Sequence, residues 1–193
     1  MLLVVPEVRC GGLLFELRDL HPLRREVEDS LDRSQRPVEG AELGANIVNL
    51  SHAQRLPGRE RVPYEQGLQV PRVILDEAGA VVGRINLNNV VRGAFQSASV
   101  GYWLAEEAGG RGLATAAVAE MVTVGFREEG LHRLEAGTIP ENVRSQAVLL
   151  RNGFEQYGYA PRYLSIAGRW QDHVLFQRLN EDWARPDEHH GPP

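Results

Sequence analysis

The chain has 193 residues, a formal net charge of −5, and no apolar run long enough to span a membrane. Its 42% apolar and 24% charged composition is that of a globular domain and excludes a disordered chain or a coiled coil. The single cysteine, Cys10, excludes an internal disulfide and a cysteine-rich metal site, and the acidic balance argues against nucleic-acid binding.

The N-terminus reads MLLVVPEVR, without a basic segment or the apolar length of a signal peptide, so a cytoplasmic protein is expected. Residues 13–20 alternate apolar and polar and predict a strand. Residues 22–35 carry Leu23, Val27 and Leu31 at helical spacing behind Pro22. Residues 36–70 show no sustained period, with a short helix the best reading of 41–50.

From residue 71 the pattern sharpens. Two apolar runs flank Asp76-Glu77-Ala78-Gly79, which predicts a hairpin. Residues 97–104 (SASVGYWL) predict another strand. A Gly-rich turn then feeds a helix whose Leu113, Ala117, Met121 and Val124 share one face, ending near Gly130. A strand follows at 131–139. Residues 141–154 read as a short helix stopped by Asn152-Gly153. Residues 154–160 and 173–179 predict two last strands, with 161–172 as their connection. The order is mixed α/β (α+β). The expected organisation is an N-terminal extension over 1–12, one domain over 13–180, and a flexible tail over 181–193. The tail's His189-His190 pair is read as solvated, and no metal site is expected.

The strongest chemical feature is Gly109-Gly110-Arg111-Gly112-Leu113-Ala114-Thr115, between a strand and a helix. Successive backbone N–H groups in such a turn, with the helix N-terminus behind them, can hold an anion. A plain flexible turn is the competing reading. No Gly-Lys-Ser/Thr follows, so it is not a P-loop, and no βαβ unit surrounds it as a dinucleotide fingerprint would need.

This turn resembles the acetyl-CoA loop of the GNAT acetyltransferases, which runs Gln/Arg-x-x-Gly-x-Gly/Ala. Here Gly112 and Ala114 match, and Gly109 stands where Gln or Arg is usual. A second match is Asn142-Val-Arg-Ser145 through Gly153-Phe154, similar to the family's Asn-x-x-Ser/Ala…Gly-Phe helix. The segments Asn89–Gly93, Gly101-Tyr102-Trp103 and Gly158–Val174 resemble the RimJ branch, whose members are ribosomal-protein alanine N-acetyltransferases. The likeness is good over 72–180 and poor over 36–70.

The resemblance implies the GNAT fold, a central, mostly antiparallel sheet of six to seven strands, splayed between the fourth and fifth and flanked by helices. It implies acetyl-CoA as cosubstrate and transfer of acetyl to an amine, most readily the N-terminal α-amine of a ribosomal or other protein. The groups it implies for acetyl-CoA are Val100, Tyr102, Trp103 and Leu104 on the fourth strand, the 109–115 turn, Asn142 and Ser145. Ser145 is the implied proton donor to the leaving thiolate, because Leu149 occupies the position where many relatives carry Tyr. A capping role within the first helical turn is the alternative for Ser145, and an N-cap the alternative for Asn142. Arg92, Tyr163 and Asp172 are candidates for binding the acceptor, or else make ordinary structural hydrogen bonds. No general base is assigned; Glu135 is placed to face the site. Two other functions stay open: acetylation of a small amine or antibiotic, and a non-catalytic module that binds acyl-CoA.

Overall fold

A computed structural model describes residues 8–10, 13–15, 46–49 and 63–183. The expected helix over 22–35 and the His189-His190 pair lie outside those residues. Two sheets are formed among the described residues. β1 (Val8–Cys10) and β2 (Leu13–Phe15) make a small antiparallel pair. The main sheet has seven strands in the order β3-β4-β5-β6-β7-β9-β8. Its members are β3 (Asn46–Asn49), β4 (Val70–Leu75), β5 (Val81–Val91), β6 (Ser97–Leu104), β7 (Arg133–Thr138), β8 (Glu155–Ile166) and β9 (Arg169–Leu179). All neighbours are antiparallel except β6 and β7. This is the splayed, mostly antiparallel sheet expected.

The parallel pair positions the site. β6 and β7 are paired only from Ser97↔Arg133 to Ser99↔Glu135. β6 then runs on to Leu104 and β7 to Thr138 without meeting. From Val100 onward, the backbone groups of β6 that point toward β7 have no ladder partner there. An unpaired strand edge presents N–H and C=O groups to whatever enters the gap.

One face of the sheet is covered by α1 (Leu113–Thr123) and α2 (Val143–Arg151). α1 buries Leu113, Ala117, Val118, Met121 and Val122 against Ile85, Leu87 and Leu134. The apolar face expected from the sequence is thus the one packed inward, with Val124 buried as well. The helix does not run regularly to Gly130. It passes into a π-turn over Val124–Glu128, where Glu129 N–H reaches the Val124 carbonyl. Gly125 sits in that turn, and a Cβ there would lie 2.9 Å from a Leu134 side-chain carbon. The wider turn lets the helix end settle on the sheet.

Two expectations are corrected. The segment 41–50 does not form a short helix through its end, because Asn46–Asn49 is a strand paired with Arg72–Leu75. Its Ile47 and Val48 are β-branched and gain a ladder partner there, which overrides local preference. Residues 161–172 are not a loop. β8 and β9 extend through them to a turn at Ala167-Gly168, with irregular register between Ala160 and Leu164. Polar residues and Pro161 hid a two-stranded extension whose surfaces are largely exposed. At the C-terminal end, Trp183 is held by its indole N–H donating to the Gly130 carbonyl at 2.9 Å. No helix among the described residues is long and apolar enough to cross a membrane.

Candidate active site

An open cleft of about 1770 Å³ follows the β6–β7 gap and passes the N-termini of both helices. Its first wall is the Gly-rich turn. A short 3₁₀ turn, Glu106–Ala108, brings the chain out of β6, and Gly109 N–H closes it on the Glu106 carbonyl at 3.0 Å. Gly110 and Gly112 then take φ values of 78° and 80°. A Cβ at either would meet nothing within 4 Å, so the left-handed backbone, not crowding, is what favours glycine.

Gly112 caps α1 without a side-chain hydrogen bond, and no acidic residue lies in the first turn. The first helical bond is from Ala116 N–H to the Gly112 carbonyl at 3.0 Å. The amides of Leu113, Ala114 and Thr115 are therefore left to a ligand or to water. Arg111, expected at the cofactor, is outside the cleft lining and solvent-exposed, 3.5 Å from Glu77. These donors, at the positive end of a helix dipole, suit a pyrophosphate.

α2 forms the second wall. Asn142 is its N-cap, its side-chain oxygen accepting from Ser145 N–H at 3.1 Å. Asn142 lines the cleft, and the cap uses its side-chain oxygen rather than its two N–H donors. Ser145 does not spend its hydroxyl on the helix. Its Oγ lies 2.8 Å from the Tyr102 hydroxyl, which reaches over from β6. Burial pushes the Tyr102 phenol up to about 12, so it stays protonated at neutral pH. The two helices are locked by buried Asn152, whose NH2 donates to the Thr115 carbonyl (3.1 Å) and the Val148 carbonyl (2.9 Å).

Strand alternation divides the cleft. Val100 and Tyr102 pair with Leu87 and Ile85 and turn toward the helices. Gly101 and Trp103 pair with Asn86 and Arg84 on the opposite face, which is polar. Glu135 also lines the cleft, at the last paired position before the gap. Its carboxylate accepts from Arg133 Nε at 2.7 Å and from the Tyr157 hydroxyl at 3.3 Å. Trp103 Nε1 and Thr138 Oγ1 are buried without a hydrogen-bond partner among the described residues, and both residues line the cleft.

Of the sequence-predicted residues, Val100, Tyr102, Trp103, Leu104, Gly109, Gly110, Gly112, Leu113, Ala114, Thr115, Asn142 and Ser145 line this one cleft. Tyr163 joins them, half exposed, its ring 5.4 Å from that of His173. Arg92 does not line it. Its guanidinium donates to the Glu129 carbonyl and to the Glu129 carboxylate at 2.7 Å, which fixes it at the end of the π-turn. Asp172 is also outside the lining. It accepts from the Tyr159 hydroxyl at 2.5 Å and from Arg162 N–H at 2.8 Å. The Tyr159 hydroxyl, then the Arg162 amide, hold its carboxyl below the usual range. Both bonds pin the irregular part of the β8–β9 extension. Sequence reasoning missed the Tyr102–Ser145 bond and the place of His173 in the cleft. The one signal for the first was the missing Tyr at Leu149, which invites a search for a hydroxyl from elsewhere.

Among the described residues no group of three His, Cys, Asp or Glu side chains is placed to hold a metal ion. The sequence pattern of the Acetyltransferase (GNAT) domain matches residues 48–155. A probable N-acetyltransferase of Bacillus subtilis, YjcK, is 40% identical over 102 residues, 53% of this chain and 56% of that protein. The [ribosomal protein uS5]-alanine N-acetyltransferase of Escherichia coli is 40% identical over 104 residues, 54% of each chain. The match thus spans about half the length of these curated relatives. Among solved structures, Mycobacterium smegmatis RimJ in complex with CoA-disulfide is similar over 93% of this chain and 88% of its own, with TM-score 0.63 and 27% identity. With the splayed sheet, the Gly-rich turn and a domain match over more than half its length, the chain belongs to the GNAT acetyltransferase family.

Proposed function

We propose that the protein is an acetyl-CoA-dependent N-acetyltransferase whose acceptor is the N-terminal α-amine of a protein. The observation that carries the first part is the juxtaposition in one cleft of an uncapped, acid-free helix N-terminus, an unpaired β6 edge and the Ser145–Tyr102 hydroxyl pair. The amides of Leu113, Ala114 and Thr115 hold the pyrophosphate. The free β6 edge beyond Ser99 binds the pantetheine arm as an added strand would be bound. A β6 amide facing the gap stabilises the thioester oxygen as it gains charge.

Ser145 faces the departing sulfur. Its partner Tyr102 is too weak an acid to give up its proton outright. A phenol at about 12 facing a thiol of ordinary pKa ~8.5 makes full transfer uphill by about 5 kcal/mol. The pair instead donates a hydrogen bond to the developing thiolate, and water supplies the proton. Tyr102 orients the Ser145 hydroxyl from β6.

The acceptor assignment rests on similarity to the uS5-alanine enzyme and on chemistry. An α-amine titrates near ~8 and a Lys side chain near ~10.4, so at neutral pH far more of the α-amine is free to attack. The test is acetyl transfer to a peptide starting with Ala or Ser, against the same peptide acetylated at its N-terminus with an internal Lys. The first should react much faster. Equal rates would defeat the α-amine assignment, and a polyamine or antibiotic outrunning both would establish a small-amine enzyme. Binding of acetyl-CoA without turnover on any amine would make the protein an acyl-CoA-binding module.

A further inference from the structure

His173 is 3% exposed and yet lines the cleft. It stands on β9 opposite Ala160, on the sheet face away from α1 and α2. Its ring lies against Gly137, where a Cβ would come within 3.3 Å of Cδ2. Gly137 is two residues past Glu135, the last β7 residue paired with β6. The imidazole therefore borders the gap at its opening, on the side opposite Ser145.

The tautomer follows from its partner. Nδ1 lies 3.1 Å from the Gln171 carbonyl, which can only accept, so Nδ1 carries a proton. In the neutral ring Nε2 then holds the lone pair. Among the described residues no hydrogen bond engages Nε2, and the residue that carries it lines the cleft. A buried imidazole, oriented by a carbonyl and packed 5.4 Å from the Tyr163 ring, has few orientations open to it.

We propose that His173 is the general base that takes the proton from the attacking amine. This rests on the acetyltransferase reading of the same cleft. The amine nitrogen bonds to the thioester carbonyl carbon while its N–H proton passes to Nε2. The C–S bond then breaks toward Ser145. The thiolate takes a proton from water, and the imidazolium returns its own to water in the cleft. Proton removal and sulfur departure thus occur on opposite sides of the sheet. Glu135, another basic group on that side, is bound by Arg133 and Tyr157, and protonating it would break an ion pair at 2.7 Å.

The experiment first establishes acetylation of an Ala-starting peptide by the parent enzyme. Failure there is failure of the proposed function and not of the assignment to His173. His173→Ala and His173→Gln are then compared, with acetylated peptide read by mass spectrometry and acetyl-CoA affinity by calorimetry. Loss of a general base costs about 10²-fold or more in kcat. Both variants should show that loss with acetyl-CoA affinity unchanged. Added imidazole should restore a measurable part of the rate in His173→Ala, because the vacated space opens on the cleft. A merely structural role would not respond to imidazole. If His173→Ala does not fold, His173→Gln, which keeps polarity and much of the volume, decides by its kcat. Rates within about threefold of the parent in a folded variant would overturn the proposal. So would loss of activity in Glu135→Gln with His173→Gln unaffected.

Discussion

On the helix side of the β6–β7 gap, the site comes from two short stretches of chain; on the other side, it is assembled from β5, β6, β7 and β9. The helix side works mostly through backbone. Gly110 and Gly112 set the turn, and α1 supplies its amides whatever its side chains are. The far side works through side chains such as Trp103, Glu135 and His173, each brought in by strand register. Backbone recognition can be written as a local motif. Side-chain recognition depends on which strands become neighbours and on which face each residue lands.

Ser145 joins the two modes, since α2 carries it and β6 gives it a partner, so Ser145→Ala breaks the comparison hardest. Its kcat should fall about 10- to 1,000-fold, with KM for acetyl-CoA little changed. A rise in KM alone would make Ser145 a binding or capping residue. Gly112→Asp attacks the backbone mode. It forces a side chain into φ 80° and sets a negative charge beside the bare amides. Acetyl-CoA affinity by calorimetry should fall at least about tenfold, about 1.4 kcal/mol, and an unchanged affinity in a folded variant would remove the turn from the site.

Tyr102→Phe sharpens the division by keeping Ser145 but removing its partner. Its kcat should fall several-fold, less than for Ser145→Ala; an equal loss would mean the phenol itself meets the sulfur. The same phenol is readable by ultraviolet titration. Its pKa is raised from 10.0 to about 12 by burial, so the folded state keeps a proton that the unfolded chain releases. Stability that is present below pH 10 should decline as pH rises from about 10 to 12, by roughly 2–3 kcal/mol in all. Tyr102→Phe should remove that part of the decline.

Arg92→Gln is the smallest expected effect. Arg92 is half exposed and paired with Glu129, away from the cleft lining. Such a surface pair is worth about 1 kcal/mol or less, and kcat/KM should stay within about twofold. A large fall in kcat/KM for a peptide, with acetyl-CoA affinity intact, would bring the acceptor out to Arg92 and extend the far side well beyond β9.

The sequence by itself determined most of the elements between residues 70 and 160 and the helix-side motif. Their signals are local: apolar alternation in β4–β6, one apolar face on α1, a Gly-rich turn before Leu113, and Asn142 three residues ahead of Ser145. Local chemistry also fixed the Asn142 cap, since the oxygen that accepts and the N–H that donates are three positions apart on one helix. What only the tertiary structure decided is non-local. Ser145 and Tyr102 are 43 positions apart, and their 2.8 Å bond exists because β6 runs under the start of α2. Arg92 was open to an acceptor role or to a structural hydrogen bond, and the π-turn is what delivers Glu129 to it. His173 read only as the first residue of the last predicted strand, and strand pairing buries it against Gly137. Strand pairing joins residues far apart in the chain and places alternate side chains on opposite faces, so a single-residue shift in register would remove His173 and Glu135 from the cleft while leaving every local motif intact.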